Sequence, residues 1–330
     1  MAVTIRDVAK AAGVSISTVS RALARPEQVA AATRHRVEEA VHALGYRPSV
    51  AARGLVTGRT GNIGLLVPDL ENPYFGSVCK GVQERARAGG YNVFIADSNE
   101  DTALEGEILA SMAGQVDGMI LCSPRSSDGQ LQRLGGHKVL VDRRMDGVAS
   151  IAGDHAGGMR QILGHLAALG HTRIAYAGGP AGSWSNGERE AALEGASAAS
   201  AGLDVIRLGN FPSSFTGGIQ AGDFAIASGA TAVVAFNDLV AVGLLERLQQ
   251  RGVTVPAQVS VASFDNVPVA TLVRPSLTTV DCPRIQMGRN SVDMLLDAVA
   301  GRGESAAVTV ESELIVRQST GIVPPGLPGA

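Results

Sequence analysis

The chain has 330 residues, which corresponds to about two domains and is long enough to bury large apolar cores without cross-links. Hydrophobic residues make up 45%, charged residues 18% and aromatic residues only 4%, a balance that excludes disordered and fibrous classes and fits an α/β protein. The formal net charge is −3, yet residues 1–60 carry nine basic against four acidic side chains. A basic head on an acidic body indicates a polyanionic partner for the head, although charge alone also fits a solvated helical face.

Four features of the sequence exclude other classes of protein or site. The longest uncharged apolar-leaning run, residues 224–237, is too short for a membrane span, so no membrane partner is expected. The first ten residues lack the apolar stretch of a secretory signal, which predicts a cytoplasmic location. Cys79, Cys122 and Cys282 are odd in number and far apart, so we interpret them as small buried hydrophobes. The six histidines have no metal-ligand spacing, and neither a metal nor a cofactor is predicted.

The first predicted elements are three short helices. Thr4 and Asp7 have the spacing of a capping box at the start of the first helix. Gly13 supplies a tight turn, and Ser15 can cap the second helix. A third helix is predicted over residues 33–44, with a glycine just past its end. Helix, glycine turn, helix is the helix-turn-helix pattern, and the apolar positions allow the three helices to share one core.

The second helix of such a domain enters the major groove of DNA. Ile16, Ser17 and Arg21 lie on one outward face of this predicted helix, which makes them the candidate base-reading residues. An arginine can form two hydrogen bonds with a guanine, so Arg21 is expected to specify one base pair.

The segments TIRDVAKAAGVSISTVSRAL, TRHRVEEAVHALGYRPS and AARGL resemble the head of the lactose repressor/galactose repressor (LacI) family of bacterial transcription factors. The match is dense over residues 4–55, and several motifs agree in order and spacing. Ala24 and Ala30 depart from the asparagine and serine that the family often has there, so phosphate contacts are not expected at these positions. The resemblance implies DNA contacts from Thr4, Ser15, Ile16, Ser17, Thr18, Ser20, Arg21, Thr33, Tyr46, Arg53 and Leu55. Ser15 has the alternative role of a helix cap only, and Tyr46 that of covering the third helix.

Residues 49–60 are interpreted as a hinge. The segment can form one or two helical turns, but Gly54 weakens a helix by about 1 kcal/mol relative to alanine, so it should be disordered alone. The resemblance implies that the hinge folds on DNA, pairs with its dimer mate and inserts Leu55 into a minor-groove base step. Such an apolar wedge bends the duplex and enlarges the contact. The alternative is a plain linker whose leucine packs on the body.

From residue 61 onward, short β-branched runs alternate with helical stretches: NIGLLV, YNVFIA, DGMILC, KVLVD, RIAYA, DVIRL, AVVAF and VSVASF. This alternation predicts parallel sheets covered by helices on both faces, and two sets divided near Asp154 predict two doubly wound subdomains. The segment SLTTVDCPR is interpreted as a connection back to the first half, followed by a helix over residues 285–300. The resemblance implies a periplasmic-binding-protein-like body behind the all-α head. The predicted division is 1–48 for the head, 49–60 for the hinge, 61–154 and 282–305 for the first subdomain, 155–281 and 306–320 for the second, and 321–330 for a loose tail.

Ligands of open α/β sheets bind beyond the carboxyl ends of the strands. The residues that follow the predicted strands are therefore the effector candidates: Asn72, Tyr74, Phe75, Asp142, Arg143, Trp184, Ser185, Arg189, Phe211, Phe215, Asn237, Asp238 and Asp265. Five of the twelve aromatic residues of the chain fall in this set, which suggests a ligand with apolar faces. The carboxylates and arginines can form charge-assisted hydrogen bonds with hydroxyl or carboxylate groups. The resemblance separately implies Arg189 and Asp265 as effector contacts, although the EAALEG after Arg189 departs from the leucine-rich family sequence.

Several candidates have structural alternatives. Asp142 and Arg143 could form a salt-bridged strand end, and Asp238 could only begin a helix. Tyr74 and Phe75 could belong to a core, and Trp184 could belong to an interface.

The sequence predicts a dimeric DNA-binding transcriptional regulator, a repressor, with operator DNA and a sugar-like effector as partners and no enzymatic activity. The alternative is a nucleotide- or sugar-binding α/β enzyme with an accessory DNA-binding head, because Gly178, Gly179 and Gly182 lie between a strand and a helix. Their spacing matches neither the dinucleotide fingerprint nor the lysine-bearing P-loop. No serine, cysteine or histidine falls in a catalytic arrangement. A binding protein without DNA function would need a secretory signal.

Overall fold

The structure is a computed structural model that describes residues 3–24, 26–46, 59–199, 202–303 and 305–323. The predicted hinge residues Arg53 and Leu55 lie outside the described residues, as does most of the predicted tail.

The head contains the three predicted helices, α1 (Ile5–Ala12), α2 (Ile16–Ala24) and α3 (Ala31–Leu44), with a 3₁₀ turn over Pro26–Gln28. Helix α3 begins two residues earlier than the pattern indicates. The capping box between Thr4 and Asp7 is present, since the threonine hydroxyl and backbone N–H both donate to the Asp7 carboxylate.

The predicted turn glycines and the predicted core of the head are confirmed. Gly13 and Gly45 end α1 and α3 in the left-handed region, both at φ 62°, where a side chain is disfavoured. Apolar side chains from all three helices form one buried cluster: Val8, Ala9, Ala12, Val19, Ala22, Val37 and Ala40.

The first subdomain is a six-stranded sheet in the order β11-β5-β4-β3-β1-β2, and all its strand pairs are parallel. Its strands are β1 (Asn62–Val67), β2 (Asn92–Asp97), β3 (Gly118–Cys122), β4 (His137–Val141), β5 (Ala149–Gly153) and β11 (Ala307–Val310). Its helices are α4 (Pro73–Ala88), α5 (Thr102–Met112), α6 (Asp128–Arg133) and α12 (Arg284–Val299).

The second subdomain repeats this plan with a sheet in the order β12-β10-β9-β8-β6-β7. Its strands are β6 (Arg173–Gly178), β7 (Asp204–Asn210), β8 (Ala232–Ala235), β9 (Ser260–Phe264), β10 (Thr278–Asp281) and β12 (Glu313–Ile315). Only the pair β10/β12 is antiparallel. Its helices are α7 (His155–Ala168), α8 (Trp184–Ala199), α9 (Phe215–Ser228), α10 (Asp238–Gln250) and α11 (Val269–Leu272).

The predicted fold class, a helical head with two doubly wound α/β subdomains, is confirmed, and all eight strand runs read from the sequence are strands. The structure corrects one boundary, because Ala307–Val310 pairs with β5 of the first sheet instead of joining the second subdomain. The segment SLTTVDCPR also differs from a plain connection, since Thr278–Asp281 is a strand of the second sheet. The chain therefore passes between the sheets after Gly153, after Asp281 and after Val310.

Each subdomain brings two helices into close contact through glycine. A Cβ on Gly81 of α4 would lie 2.0 Å from the Ile285 carbonyl oxygen at the start of α12. A Cβ on Gly243 of α10 would lie 2.0 Å from the Phe215 carbonyl oxygen at the start of α9. Glycine at these two positions therefore allows the backbones of the paired helices to approach closely.

The three cysteines are free and buried, as predicted. Within the described parts of the chain, no helix is both long and apolar enough to cross a membrane.

Candidate functional site

A cleft lies between the carboxyl ends of the two sheets, and residues of both subdomains line it. Eight of the thirteen predicted effector contacts lie in it: Asn72, Tyr74, Phe75, Asp142, Ser185, Arg189, Asn237 and Asp265. The structure adds seven residues that the sequence reasoning missed: Glu100, Ser123, Arg125, His155, Ser183, Ser213 and Phe236. Most of the missed residues follow strands, so the strand-end rule could have found them.

Asp142 is the centre of the polar groups on the first-subdomain side. It is 3% exposed, and it accepts hydrogen bonds from the Tyr74 hydroxyl and from the Gly153 backbone N–H. His155 Nε2, from the second subdomain, lies 3.3 Å from Asp142 Oδ1. Burial by itself raises the pKa of Asp142, but the contacts with His155 and Tyr74 outweigh it and hold that pKa below its ordinary value. The carboxylate is therefore charged, and it links the two subdomains through His155.

Arg189 is the central cation of the cleft and is 4% exposed. Its guanidinium carbon lies 3.9 Å from the ring centroid of Phe264 and 4.8 Å from that of Phe236, distances typical of cation–π contacts. One terminal nitrogen donates to the Phe236 carbonyl, and the other lies 3.2 Å from His155 Nδ1. Its Nε is buried without a partner among the described residues. An aromatic-stacked guanidinium with an unused N–H can donate to a ligand.

Asp265 faces Arg189 at 4.0 Å and is 9% exposed. Burial raises the pKa of Asp265 to about 7, although the nearby Arg189 charge opposes this shift. The carboxyl group can therefore donate or accept a hydrogen bond near neutral pH.

Backbone strain is concentrated at the edge of the cleft. The described residues other than glycine that have φ in the left-handed region all follow a strand of one of the two sheets: Asn99, Glu100, Ser123, Asp142, Asp265 and Asn266. Four of these six line the cleft. Strained residues of this kind cluster at binding and catalytic sites, where the surrounding fold holds them in place.

The structure does not bring Arg143 into the cleft. Its guanidinium donates to the Pro124 carbonyl and to the Asp128 carboxylate, both at 2.7 Å. This is the salt-bridged arrangement that the sequence left as an alternative.

Asp238 is also outside the cleft lining, because its carboxylate is 0% exposed and fully used inside the second subdomain. It accepts hydrogen bonds from the Ser263 hydroxyl at 2.5 Å, the Thr279 hydroxyl at 2.7 Å and the Val267 N–H at 2.7 Å. These partners flank Asp265, so Asp238 positions the loop that carries the cleft carboxyl.

Three predicted aromatic contacts lie elsewhere. Phe211 is buried in the core of the second subdomain, and Phe215 is 46% exposed at the start of α9. Trp184 packs edge-on against His155 with ring centroids 5.8 Å apart, so it supports a cleft residue without lining the cavity. The concentration of aromatic residues at strand ends therefore overestimated the aromatic character of the cleft.

The enclosed cavity measures about 30 Å³, room for about two water molecules. A ligand larger than this requires the two subdomains to separate or side chains to move.

The glycines after β6 have a packing role. A Cβ on Gly179 would lie 2.5 Å from the Phe236 ring, and a Cβ on Gly178 would lie 3.0 Å from the Gly209 carbonyl oxygen. Close packing therefore explains why glycine occupies both positions, and a phosphate-binding loop is not needed to explain it. Within the described ranges, no three histidine, cysteine or acidic side chains are grouped as metal ligands.

The head presents the predicted base-reading face to solvent. Ser17 and Arg21 are exposed, and Ile16 is 45% exposed, an unusual position for an isoleucine in so small a domain. Ser15 caps α2 by accepting from the Thr18 N–H at 3.1 Å.

The other DNA-contacting residues that the resemblance implies for the head are more covered, apart from the exposed Thr4 and Ser15. Thr18, Ser20 and Thr33 are half-buried, and Tyr46 packs against the core of the head. Ala30 precedes α3 without a side-chain cap, in agreement with its departure from the family pattern.

Comparison with known proteins accounts for the head and the body. Residues 4–49 match the family described as bacterial regulatory proteins, lacI family, and residues 163–320 match the periplasmic binding protein-like domain. The HTH-type transcriptional repressor PurR of Vibrio parahaemolyticus is 32% identical over 327 residues, covering 96% of this chain and 98% of that protein.

Two solved structures are similar over nearly the whole chain. The lac repressor dimer bound to operator and the anti-inducer ONPF has a TM-score of 0.84 at 26% identity, covering 97% of this chain and 100% of its own. The complex of the transcriptional regulator CelR with cellobiose has a TM-score of 0.72 at 29% identity, covering 96% and 99%. The chain therefore belongs to the lacI family of bacterial regulatory proteins, DNA-binding transcriptional repressors whose activity an effector modulates.

Proposed function

We propose that this protein is a homodimeric repressor whose affinity for a near-palindromic operator changes when a small, sugar-like effector binds between the two subdomains. The observation that carries the proposal is the cleft itself, in which buried polar groups of both subdomains, the Asp142 carboxylate and the His155 imidazole, already meet at 3.3 Å. A ligand that replaces such contacts changes the relative orientation of the subdomains. The partners are double-stranded operator DNA, the effector and a second copy of the chain, in the cytoplasm where the chromosome lies.

The head supplies the DNA-binding part of the proposal. Ile16, Ser17 and Arg21 read bases from the exposed face of α2, and the hydroxyl groups of Thr4, Ser15, Thr18, Ser20, Thr33 and Tyr46 lie near the phosphates. Leu55 enters a minor-groove base step and Arg53 contacts DNA, as the family resemblance of the hinge implies.

The chemistry of the cleft supports an effector rich in hydroxyl groups. Asp142 and Asp265 can accept from hydroxyls, and Arg189 can donate to the same groups, since its Nε has no partner in the described structure. Similarity to a regulator solved with cellobiose supports the same ligand class. The proposal includes no catalytic step, because the similar proteins are regulators.

Binding at the cleft and binding at the operator are then linked reciprocally. Such coupling typically amounts to about 1–3 kcal/mol. The three passages between the sheets are the segments that any reorientation must bend.

The test is selection of fragments of the source genome by the full chain, followed by gel shifts. Selected sites with dyad symmetry and affinity that falls steeply with salt, with a slope of about −0.9 per neutralised phosphate, support the proposal. Sites without symmetry contradict the dimer, and a flat salt response contradicts the role of the basic head. Repeating the shifts with a panel of sugars tests the effector class.

A further inference from the structure

A second cavity adjoins the cleft and is much larger than the enclosed one. It measures about 390 Å³ and shares Glu100 and Ser213 with the cleft lining. Its wall on the second subdomain is largely apolar, with Pro180, Phe211 and Pro212. Glu100 and Ser213 therefore stand at the boundary between a cavity of two-water size and an open groove.

The carboxylate of Glu100 is held at this boundary by the fold. The residue follows β2 in the left-handed region at φ 59°, directly after Asn99 at φ 50°. Arg125 donates two hydrogen bonds to it, from Nε at 2.6 Å and from Nη2 at 2.9 Å. The Arg125 side chain is only 6% exposed, and its Nη1 also donates to the Ser123 carbonyl at 2.8 Å. A strained backbone and a buried two-bond ion pair together fix the direction of the carboxylate.

The same carboxylate bonds across the cleft. Ser213, in the segment between β7 and α9 of the second subdomain, donates its hydroxyl to Glu100 Oε1 at 3.2 Å. This hydrogen bond is weak, because its donor is a neutral hydroxyl and its distance is long. The Glu100 carboxylate is nevertheless a strong acceptor, since it is charged. A stronger donor from a ligand can replace the Ser213 hydroxyl.

We infer that Glu100 is an effector-binding residue, which accepts a hydroxyl or ammonium group of the ligand in place of the Ser213 hydroxyl. This inference deepens the proposed function and rests on it. Without ligand, the Ser213 hydroxyl bonds to Glu100 between the cleft and the groove. In the bound state, the effector extends from the cleft into the groove and donates a hydrogen bond to the Glu100 carboxylate.

The charges around Glu100 set the class of ligand. Arg125 is already paired with Glu100, and Asp69, which also lines the groove, has the carboxylates of Glu71 and Asp97 as neighbours. Burial, followed by the neighbouring carboxylates, raises the pKa of Asp69, in agreement with crowded negative charge there. The end of the effector that meets Glu100 is therefore neutral or cationic, and a phosphate or carboxylate at that end is repelled.

The bridge itself is tested without a ligand. Amide hydrogen exchange is compared between the wild-type full chain and Ser213→Ala. The control is Ser228→Ala, whose hydroxyl donates to the Ala225 carbonyl and accepts from the Ala230 N–H, both within its own subdomain. We expect faster exchange in residues 98–101 and 210–214 for Ser213→Ala and no change there for the control. Equal exchange in both variants overturns the bridge.

The ligand class is tested by thermal unfolding of the full chain with cellobiose, glucosamine and glucose 6-phosphate. We expect cellobiose or glucosamine to raise the unfolding midpoint and glucose 6-phosphate to have no effect. For the sugar that binds, Glu100→Gln should weaken affinity about tenfold, the size of one hydrogen bond to a charged acceptor. Ser213→Ala should leave affinity equal or tighter, since it removes the competing donor.

Glu100→Gln also leaves the buried Arg125 without its carboxylate, so this variant should gain affinity for glucose 6-phosphate. A change of preference from the uncharged or cationic sugar to the sugar phosphate is not expected from a variant that is only less stable. Arg125→Lys, which keeps the positive charge beside Glu100, is the conservative variant for comparison. Preference of the wild type for the sugar phosphate, or unchanged affinity in Glu100→Gln, overturns the inference. If none of the three sugars binds, the inference is overturned, whereas the gel shifts and the exchange comparison still test the operator proposal and the bridge separately.

Discussion

The head and the cleft present their functional side chains in opposite ways. Ile16, Ser17 and Arg21 are exposed on a short helix whose start, cap and end are set by neighbours within a few residues. Asp142 and Arg189 are at most 4% exposed, bonded to groups far away in the sequence and, for Asp142, held in a strained backbone. The predicted DNA-binding face of the head is thus open to solvent, whereas the cleft already satisfies most of its own polar groups.

Substitutions in the two regions are therefore expected to have different energetic effects. A substitution on the exposed face of α2 should remove contacts with DNA and leave the fold of the chain intact. A change in the cleft alters buried charge, hydrogen bonds between the subdomains and ligand binding together. The following changes are chosen to separate these effects.

The largest effect is expected from Arg21→Ala. Operator affinity should fall by roughly 1–3 kcal/mol per half-site, with relaxed preference at one base pair, because an exposed guanidinium reads a base edge. Thr33→Ala is the comparison, since loss of a phosphate contact should weaken all sequences about equally. Gel shifts against operator variants measure both, and equal loss of specificity in the two variants contradicts the assignment.

A slightly smaller effect is expected from Asp238→Ala, on stability. Loss of this carboxylate leaves the Ser263 and Thr279 hydroxyls and the Val267 N–H unsatisfied in a buried site, so the free energy of unfolding should fall by about 3 kcal/mol. Urea unfolding of the full chain measures this. Asp223→Ala is the matched control: that carboxylate accepts hydrogen bonds from Arg247 and Arg251 but is 48% exposed, so its loss should lower the free energy of unfolding much less. A similar decrease in the free energy of unfolding of the two variants would contradict the expectation that the buried carboxylate contributes more than the exposed one.

The next effect is on the linkage between the two sites. Asp265→Ala should abolish the response of operator affinity to the sugar that binds the wild type, a coupling of about 1–3 kcal/mol, and leave operator affinity without ligand nearly unchanged. The substitution touches no head residue, which is the reason for the second expectation. Operator titrations with and without the sugar measure both quantities. A full response in the variant removes Asp265 from the effector site, and loss of operator binding indicates a structural role.

The last prediction concerns the pH dependence of stability. Burial raises the pKa of Asp265 to about 7 in the folded chain from an ordinary value of 3.8, so between these values the folded state binds more protons than the unfolded state. The free energy of unfolding therefore decreases as pH rises through this window. Asp265→Asn lacks this titration, so its stability relative to the wild type should increase from acid to neutral pH. Denaturant unfolding across the window measures the trend, and a constant or opposite difference would contradict a buried protonated carboxyl.

Much of the architecture could be predicted because it depends on local pattern. Eight strands of the body are runs of β-branched and apolar residues, and all eight are observed. The four missed strands are short: β5 is built from small residues, β10 is rich in threonine, and β11 and β12 lie at sheet edges. These segments form strands because they pair with a neighbouring strand of a sheet. The local sequence pattern contains no information about that pairing.

The cleft could be predicted only in part, for the same reason. The strand-end rule placed Asn72, Asp142, Arg189 and Asp265 correctly in the cleft lining, because parallel strands bring their carboxyl ends to one edge. It did not distinguish Asp265, which faces the cavity, from Asp238, which bonds inward. Side-chain direction at a strand end depends on which partner lies nearby, and those partners come from other strands.

The head, the order of most elements and the family could be predicted from local pattern, because caps, turns and hydrophobic period act over a few residues. In contrast, the pairing of Arg143 with Asp128, the contact of His155 with Asp142 and the bonds from Glu100 to Arg125 and Ser213 depend on the tertiary structure. Each of these contacts joins residues 13 or more positions apart, and burial makes each charge depend on its partner. The choice among candidate partners is therefore made by the packing of the two sheets, which the local pattern does not contain.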